Sequence, residues 1–187
     1  MKKYIKCKVC GFIGKDNKNI KICPACGAPI TDFENYTYEI SETRLKKLNM
    51  HIHPVLAHFP QSLAFLSFAF IATAFITKGS INTNSIIIGK YLSIILPFSI
   101  IAAMGSGVYD TKTRLQNTNG SIIKEKIQLG TLFLVSSGVT AVMFNYEVSN
   151  SISKAIIVIL GIFNLICSAL LGNRGTSLLD VVIKDKK

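Results

Sequence analysis

Four long apolar segments follow one another after residue 50. They cover residues 54–77, 84–107, 127–146 and 152–171, and polar residues gather in the short stretches between them. Each segment has the roughly 20 residues that an α-helix needs to cross about 30 Å of hydrocarbon. The pattern therefore predicts an all-α bundle of four transmembrane helices over residues 51–176, followed by a basic tail over residues 177–187.

The last apolar segment also carries a stripe of small and polar residues at helical spacing. Its members are Gly161, Asn164, Ser168 and Gly172. Small residues allow neighbouring helices to approach closely in a membrane. The stripe therefore predicts a packing face of the fourth helix.

The first 50 residues have a different pattern, because their short apolar runs are interrupted by lysine, cysteine, glycine and proline. We divide this region into a head over residues 1–33 and a connector over residues 34–50. The connector is predicted to end in a short amphipathic helix, with Leu45 and Leu48 resting on the bilayer.

The basic residues are unevenly distributed around the apolar segments. Ten of the 21 Lys and Arg residues lie in the first 50 residues, four lie between the second and third segments, and four lie after the fourth. Short loops rich in Lys and Arg stay in the cytoplasm. The distribution predicts a multi-pass protein of a bacterial or archaeal cytoplasmic membrane with both termini in the cytoplasm. Since topology accounts for the net charge of +11, we expect the lipid membrane and no nucleic acid as a partner.

The head contains two Cys-x-x-Cys pairs. Cys7 and Cys10 form the first pair, Cys23 and Cys26 form the second, and twelve residues separate the pairs. Two such turns present four thiolates tetrahedrally, which suits zinc or a single iron ion. A segment of 33 residues is too short for a self-sufficient core, so we expect the metal to hold the head folded.

The residues around the cysteines favour iron over zinc through a resemblance. Tyr4-x-x-Cys7-x-x-Cys10-Gly-Phe-Ile-Gly, then Cys23-Pro-x-Cys26-Gly-Ala-Pro and Phe33, resemble the rubredoxin-type module of rubrerythrins. This resemblance implies a small β domain, similar also to a zinc ribbon, in which the four cysteines hold one iron ion. It also implies one-electron transfer without bond chemistry. Structural zinc is the alternative.

All three histidines lie in the segment HIHPVLAHFP, residues 51–60. A structural role is one interpretation, with His58 bonding a carbonyl that Pro60 leaves free. A haem is another, with His58 contributed by two protomers of a homodimer or paired with Met104. A quinone site is a third, with His58 donating a hydrogen bond and Asp110 taking a proton. A metal held by His51 and His53 would require a segment that is not helical.

The membrane part has a resemblance of its own. His-Pro and His-Phe-Pro at the start of the first segment, with Gly107-x-x-Asp110 at the end of the second, resemble a largely uncharacterised family of small four-span bacterial membrane proteins. The resemblance covers residues 51–172.

Two function classes follow from these patterns. The first is an electron carrier that works between a cytoplasmic redox protein and a haem, quinone or protein of the membrane, and that has no substrate of its own. The second is a zinc-ribbon module on a membrane anchor that binds a partner.

Overall fold

A computed structural model describes residues 4–16, 21–37, 40–116, 120–146 and 150–176. The described residues form two compact units, one reaching to Leu45 and one beginning at Lys46. The predicted basic tail over residues 177–187 lies outside the described residues.

The head is built on a three-stranded antiparallel sheet. Its strands are β1 (Tyr4–Cys7), β2 (Ile13–Lys15) and β3 (Phe33–Tyr36), and β1 lies in the middle. Side chains alternate along β1, so Ile5 and Cys7 face the interior while their neighbours are partly exposed. A 3₁₀ turn, Ile30–Asp32, leads directly into β3. The sheet thus fixes the first cysteine at the end of its central strand.

Five helices follow the head. They are α1 (Glu42–Leu48), α2 (Ile52–Ile76), α3 (Gly79–Leu115), α4 (Ser121–Tyr146) and α5 (Ser151–Thr176). The four longer helices, in the part of the chain that the structure describes, are long and apolar enough to cross a membrane. The predicted fold class, a small metal-binding β domain followed by an all-α bundle, is confirmed.

The short helix α1 was predicted, but its environment differs from the prediction. Leu45 and Leu48 are only 7% and 6% exposed. Protein atoms therefore cover the two side chains that we expected to rest on the bilayer.

The long helices pack as a square. α2 contacts α3 and α5, and α4 contacts the same two helices. One apolar cluster takes a residue or more from each of the four helices: Ala64, Leu96, Ile100, Phe133 and Cys167. A second cluster joins Ile71 and Ala74 to Phe144 and Ile157. These two layers hold the bundle together along its length.

The predicted packing stripe of α5 faces the bundle interior. Gly161, Asn164 and Ser168 are buried, and the ring of Phe68 would lie 2.6 Å from a Cβ atom at Gly161. Asn164 donates a hydrogen bond of 3.3 Å to Thr140 of α4. Gly172 lies against the side chain of Gln61. The absence of side chains at the two glycines therefore lets α2 approach α5.

Helix α3 is longer than the apolar segment that predicted it. The segment ends at Gly107, whereas the helix continues to Leu115. An ion pair between Asp110 and Arg114 spans one turn of this extension at 2.9 Å. Pairs at this spacing stabilise a helix, so the polar residues beyond the apolar segment remain helical.

Candidate metal centre

The two Cys-x-x-Cys pairs adopt the same local backbone arrangement. The amide of Gly11 donates to the carbonyl of Cys7 at 2.9 Å, and the amide of Gly27 donates to the carbonyl of Cys23 at 2.9 Å. The amide of each first cysteine also donates a hydrogen bond to a carbonyl beyond the glycine. The amide of Cys7 donates to the carbonyl of Phe12, and the amide of Cys23 donates to the carbonyl of Ala28. Each pair is therefore a closed turn that brings its two sulfurs to one side.

The glycines after the second cysteines are required by the backbone. Gly11 has a φ of +77° and Gly27 a φ of +76°. A residue with a Cβ atom is strained in this left-handed region, whereas glycine is not. The glycines thus allow the chain to turn back after each Cys-x-x-Cys pair.

The sulfur atoms of the four head cysteines lie close together. Cys7, Cys10, Cys23 and Cys26 place their Sγ atoms within 4.8 Å of one another. The distance is 3.8 Å from Cys7 to Cys26 and 3.7 Å from Cys10 to Cys23. Four sulfurs at a metal–sulfur distance of about 2.3 Å in a tetrahedron are separated by about 3.8 Å. The site therefore has the dimensions of a tetrahedral four-thiolate metal centre.

The cysteines differ in exposure. Cys7 and Cys23 are 0% and 2% exposed, whereas Cys10 and Cys26 are exposed. One half of the sulfur cluster is thus held inside the head, and the other half reaches the surface. The aromatic residues that contribute to the resemblance, Tyr4, Phe12 and Phe33, are partly buried.

Backbone amides and neighbouring thiols shift the acidity of the second pair in opposite directions. Burial acts to raise the pKa of Cys23, but amides of Cys26 and Ala25, with two neighbouring thiols, bring that pKa down to about 7. The Ala28 amide acts to lower the pKa of Cys26, but the three other thiols and burial raise it to about 12. Four thiols this close cannot all ionise without a cation, so the donor set fits a metal ion.

The histidine segment forms the start of α2. His51 is its N-cap, with a left-handed φ of +47°, and Pro54 lies in the first turn, where a missing amide costs little. His53 is within the helix, so the non-helical segment that a His51–His53 metal site requires is not formed. His51 itself is exposed.

Among the histidines, His53 has a contact with another helix. Its Nδ1 lies 3.0 Å from the hydroxyl oxygen of Ser106 in α3. His58, on which the haem and quinone interpretations were based, is exposed on α2. Met104 packs against Gly130 of α4, and Asp110 pairs with Arg114. The haem and quinone assignments to His58 remain predictions.

Ser106 and Arg114 were not identified from the sequence, although the sequence around them contains two indications. Gly107-x-x-Asp110 marks the same stretch of α3, and Asp110 and Arg114 have the spacing of a helical ion pair. The contact from His53 to Ser106 joins residues 53 positions apart. Spacing along the chain carries no information about such a contact.

Comparison with known proteins bears on the head. Residues 6–34 match the family model of the rubrerythrin, rubredoxin-like domain. Neither the curated proteins nor the solved structures compared with the chain gave a match. The resemblance of residues 51–172 to a four-span membrane family remains a prediction.

Proposed function

We propose that the chain is a membrane-anchored one-electron carrier whose head holds one iron ion in Cys7, Cys10, Cys23 and Cys26. The observation that supports this most is the set of four sulfurs within 4.8 Å of one another, inside a segment that matches a rubredoxin-like domain. Bound iron supplies a change of oxidation state by one electron, without making or breaking bonds.

The protein's own groups set the conditions for that change. The closed turns and the central strand hold the sulfurs at fixed separations, so little rearrangement accompanies a change of charge. Backbone amides of Ala25 and Cys26 donate to the sulfur of Cys23, and the amide of Ala28 donates to that of Cys26. Amide dipoles directed at sulfur favour the more negative, reduced state of the site.

The exposed half of the sulfur cluster is the side suited to a partner. Val9, beside Cys10, is 65% exposed, and Ile22, beside Cys23, is 62% exposed. Residues 1–33 contain seven lysines and two aspartates. Apolar side chains within a basic surface favour a protein with an apolar contact area and acidic residues around it. We therefore propose an acidic cytoplasmic redox protein as the partner.

The helices provide the anchor in this proposal. The basic residues favour a cytoplasmic membrane with both termini in the cytoplasm, because Lys and Arg in short loops remain on that side. The other redox partner is then a haem, a quinone or a protein of the membrane. The alternative, a zinc-ribbon module that binds a partner, uses the same four sulfurs.

Metal analysis separates the two functions. The chain is purified from cells that produce it naturally, since a foreign host can insert a different metal. We expect one iron atom per chain and a coloured protein that bleaches on reduction. One zinc atom per chain in a colourless protein would contradict the electron-carrier proposal and support the zinc module.

A further inference from the structure

The hydrogen bonds around His53 determine which of its ring nitrogens is free. The hydroxyl of Ser106 donates to the carbonyl of Ala103 at 2.8 Å, so its single proton is already used. With the hydroxyl donating in that direction, its contact of 3.0 Å with His53 Nδ1 is a hydrogen bond that Nδ1–H donates to the hydroxyl oxygen. In the neutral ring, Nε2 is left with a free lone pair.

The surface of α3 is shaped to receive this ring. A Cβ atom at Gly107 would lie 3.0 Å from His53 Cε1 and 3.5 Å from Nε2. Ser106 is buried, and His53 is partly buried. An imidazole fixed through Nδ1 to a carbonyl or hydroxyl presents its other nitrogen in one orientation, as ligand-binding histidines do.

Charged groups of two helices act on the same imidazole. Lys126 of α4 and Asp110 and Arg114 of α3 lie close enough to influence it electrostatically. Asp110 is paired with Arg114 at 2.9 Å, so Lys126 leaves one positive charge in excess. The excess positive charge favours the neutral imidazole, in which one ring nitrogen can accept a hydrogen bond.

An apolar groove begins one helical turn from His53 and Ser106. It lies between α2 and α3, has a volume of about 350 Å³, and is lined by Leu56, Phe59, Leu63, Ile95, Phe98, Ser99 and Ala102. Leu56 follows His53 by three residues, and Ala102 precedes Ser106 by four, so each pair is separated by about one turn. The outer residues Phe59 and Phe98 are 59% and 68% exposed, which leaves the groove open to lipid.

We infer that this end of the bundle binds a lipid-soluble quinol. Its ring hydroxyl donates a hydrogen bond to Nε2 of His53, and its apolar tail lies in the groove between α2 and α3. The acceptor nitrogen and the adjacent groove favour a lipid whose hydroxyl is a strong hydrogen-bond donor. The choice of a quinol within that class rests on the proposed electron-carrier function.

The test measures binding separately from electron transfer. Protein whose head is loaded with zinc is placed in lipid nanodiscs and titrated with decylubiquinol without oxygen, by calorimetry. Zinc keeps the head folded and excludes a redox reaction there. Dioctanoylglycerol, which has a hydroxyl group that is not acidic, is the comparison ligand.

Two pairs of variants locate the site. His53→Leu removes both ring nitrogens, and Gly107→Ala displaces the ring; we expect each to weaken quinol binding about tenfold, equivalent to about 1.4 kcal/mol. The matched control for Gly107→Ala is Gly105→Ala, where a Cβ atom meets nothing within 4 Å. His58→Leu, on the exposed side of α2, tests the rival assignment of a quinone to His58. We expect both variants to bind like the unmodified protein.

Three results would overturn the inference. They are absence of quinol binding, equal affinities in all variants, and equal affinity for dioctanoylglycerol. None of these three results would contradict the proposal that the head holds iron and carries one electron. Conversely, quinol binding that depends on His53, in a protein that proves to contain zinc in its natural host, would support the membrane site and overturn the electron-carrier proposal.

Discussion

Single residues determine the chemistry of the head, and its four cysteines differ in their roles. Cys7 and Cys23 are buried and tie the metal to the sheet and to the second turn, whereas Cys10 and Cys26 bring it to the surface. Gly11 and Gly27 supply the left-handed backbone that both turns need. The centre therefore depends on six residues whose positions follow from two short sequence motifs.

Replacing one buried ligand tests this dependence. We expect Cys23→Ser to lose the metal and to make the head sensitive to protease, because metal binding in so small a unit supplies most of its folding free energy. Metal content and limited proteolysis measure the outcome. Cys167→Ser is the matched control, since Cys167 is buried among apolar residues of the bundle and should leave the metal in place. A Cys23→Ser protein that keeps one metal ion and a resistant head would contradict the four-thiolate site.

Residues close in sequence were predictable, and residues brought together by folding were not. The four ligands were identified because Cys-x-x-Cys spacing is itself the geometry of a metal-binding turn. The contacts of His53 were not identified, because they involve Ser106 and Gly107 of another helix. His58 is next to Pro60 and within an apolar segment, which drew attention to it, but neither fact determines which way its side chain points.

The sequence predicted the number of long helices correctly, but it predicted the residues at which they end less well. The length of the apolar segments identified all four long helices, because the thickness of the hydrocarbon layer sets the length of a helix that crosses it. The same criterion ended α3 at Gly107, although the helix reaches Leu115, because apolar length does not register the stabilising Asp110–Arg114 pair. How the helices approach one another depends on positions without side chains, such as Gly161 against Phe68.

The contact between α2 and α5 can be tested at that position. A Cβ atom at Gly161 would lie 2.6 Å from the ring of Phe68, so Gly161→Ala should force the two helices apart. Overpacking of this kind costs about 1–3 kcal/mol. Gly138→Ala in α4 is the control, because its Cβ atom meets nothing within 4 Å. Thermal unfolding in detergent measures both, and equal stability of the two variants would contradict the packing.

The whole molecule joins a metal-binding head to four helices long and apolar enough to cross a membrane, and the basic loops predict its orientation. In a Cys167→Ser background, a cysteine at Thr83 should react with an impermeant thiol reagent added to intact cells. One at Gln116 should react only after the cells are opened, because the loop after α3 is basic. Both positions are exposed. The reverse pattern would place the head outside the cell and exclude a cytoplasmic redox partner.

Electron uptake by the natural protein tests the proposed function most directly. The protein is purified with its native metal and titrated with a reductant of known concentration, while the visible absorption of the head is followed. We expect one electron per chain, a reversible single-electron curve, and loss of the signal in Cys23→Ser. A chain that takes up no electron while its four cysteines hold a metal ion would contradict the electron-carrier function.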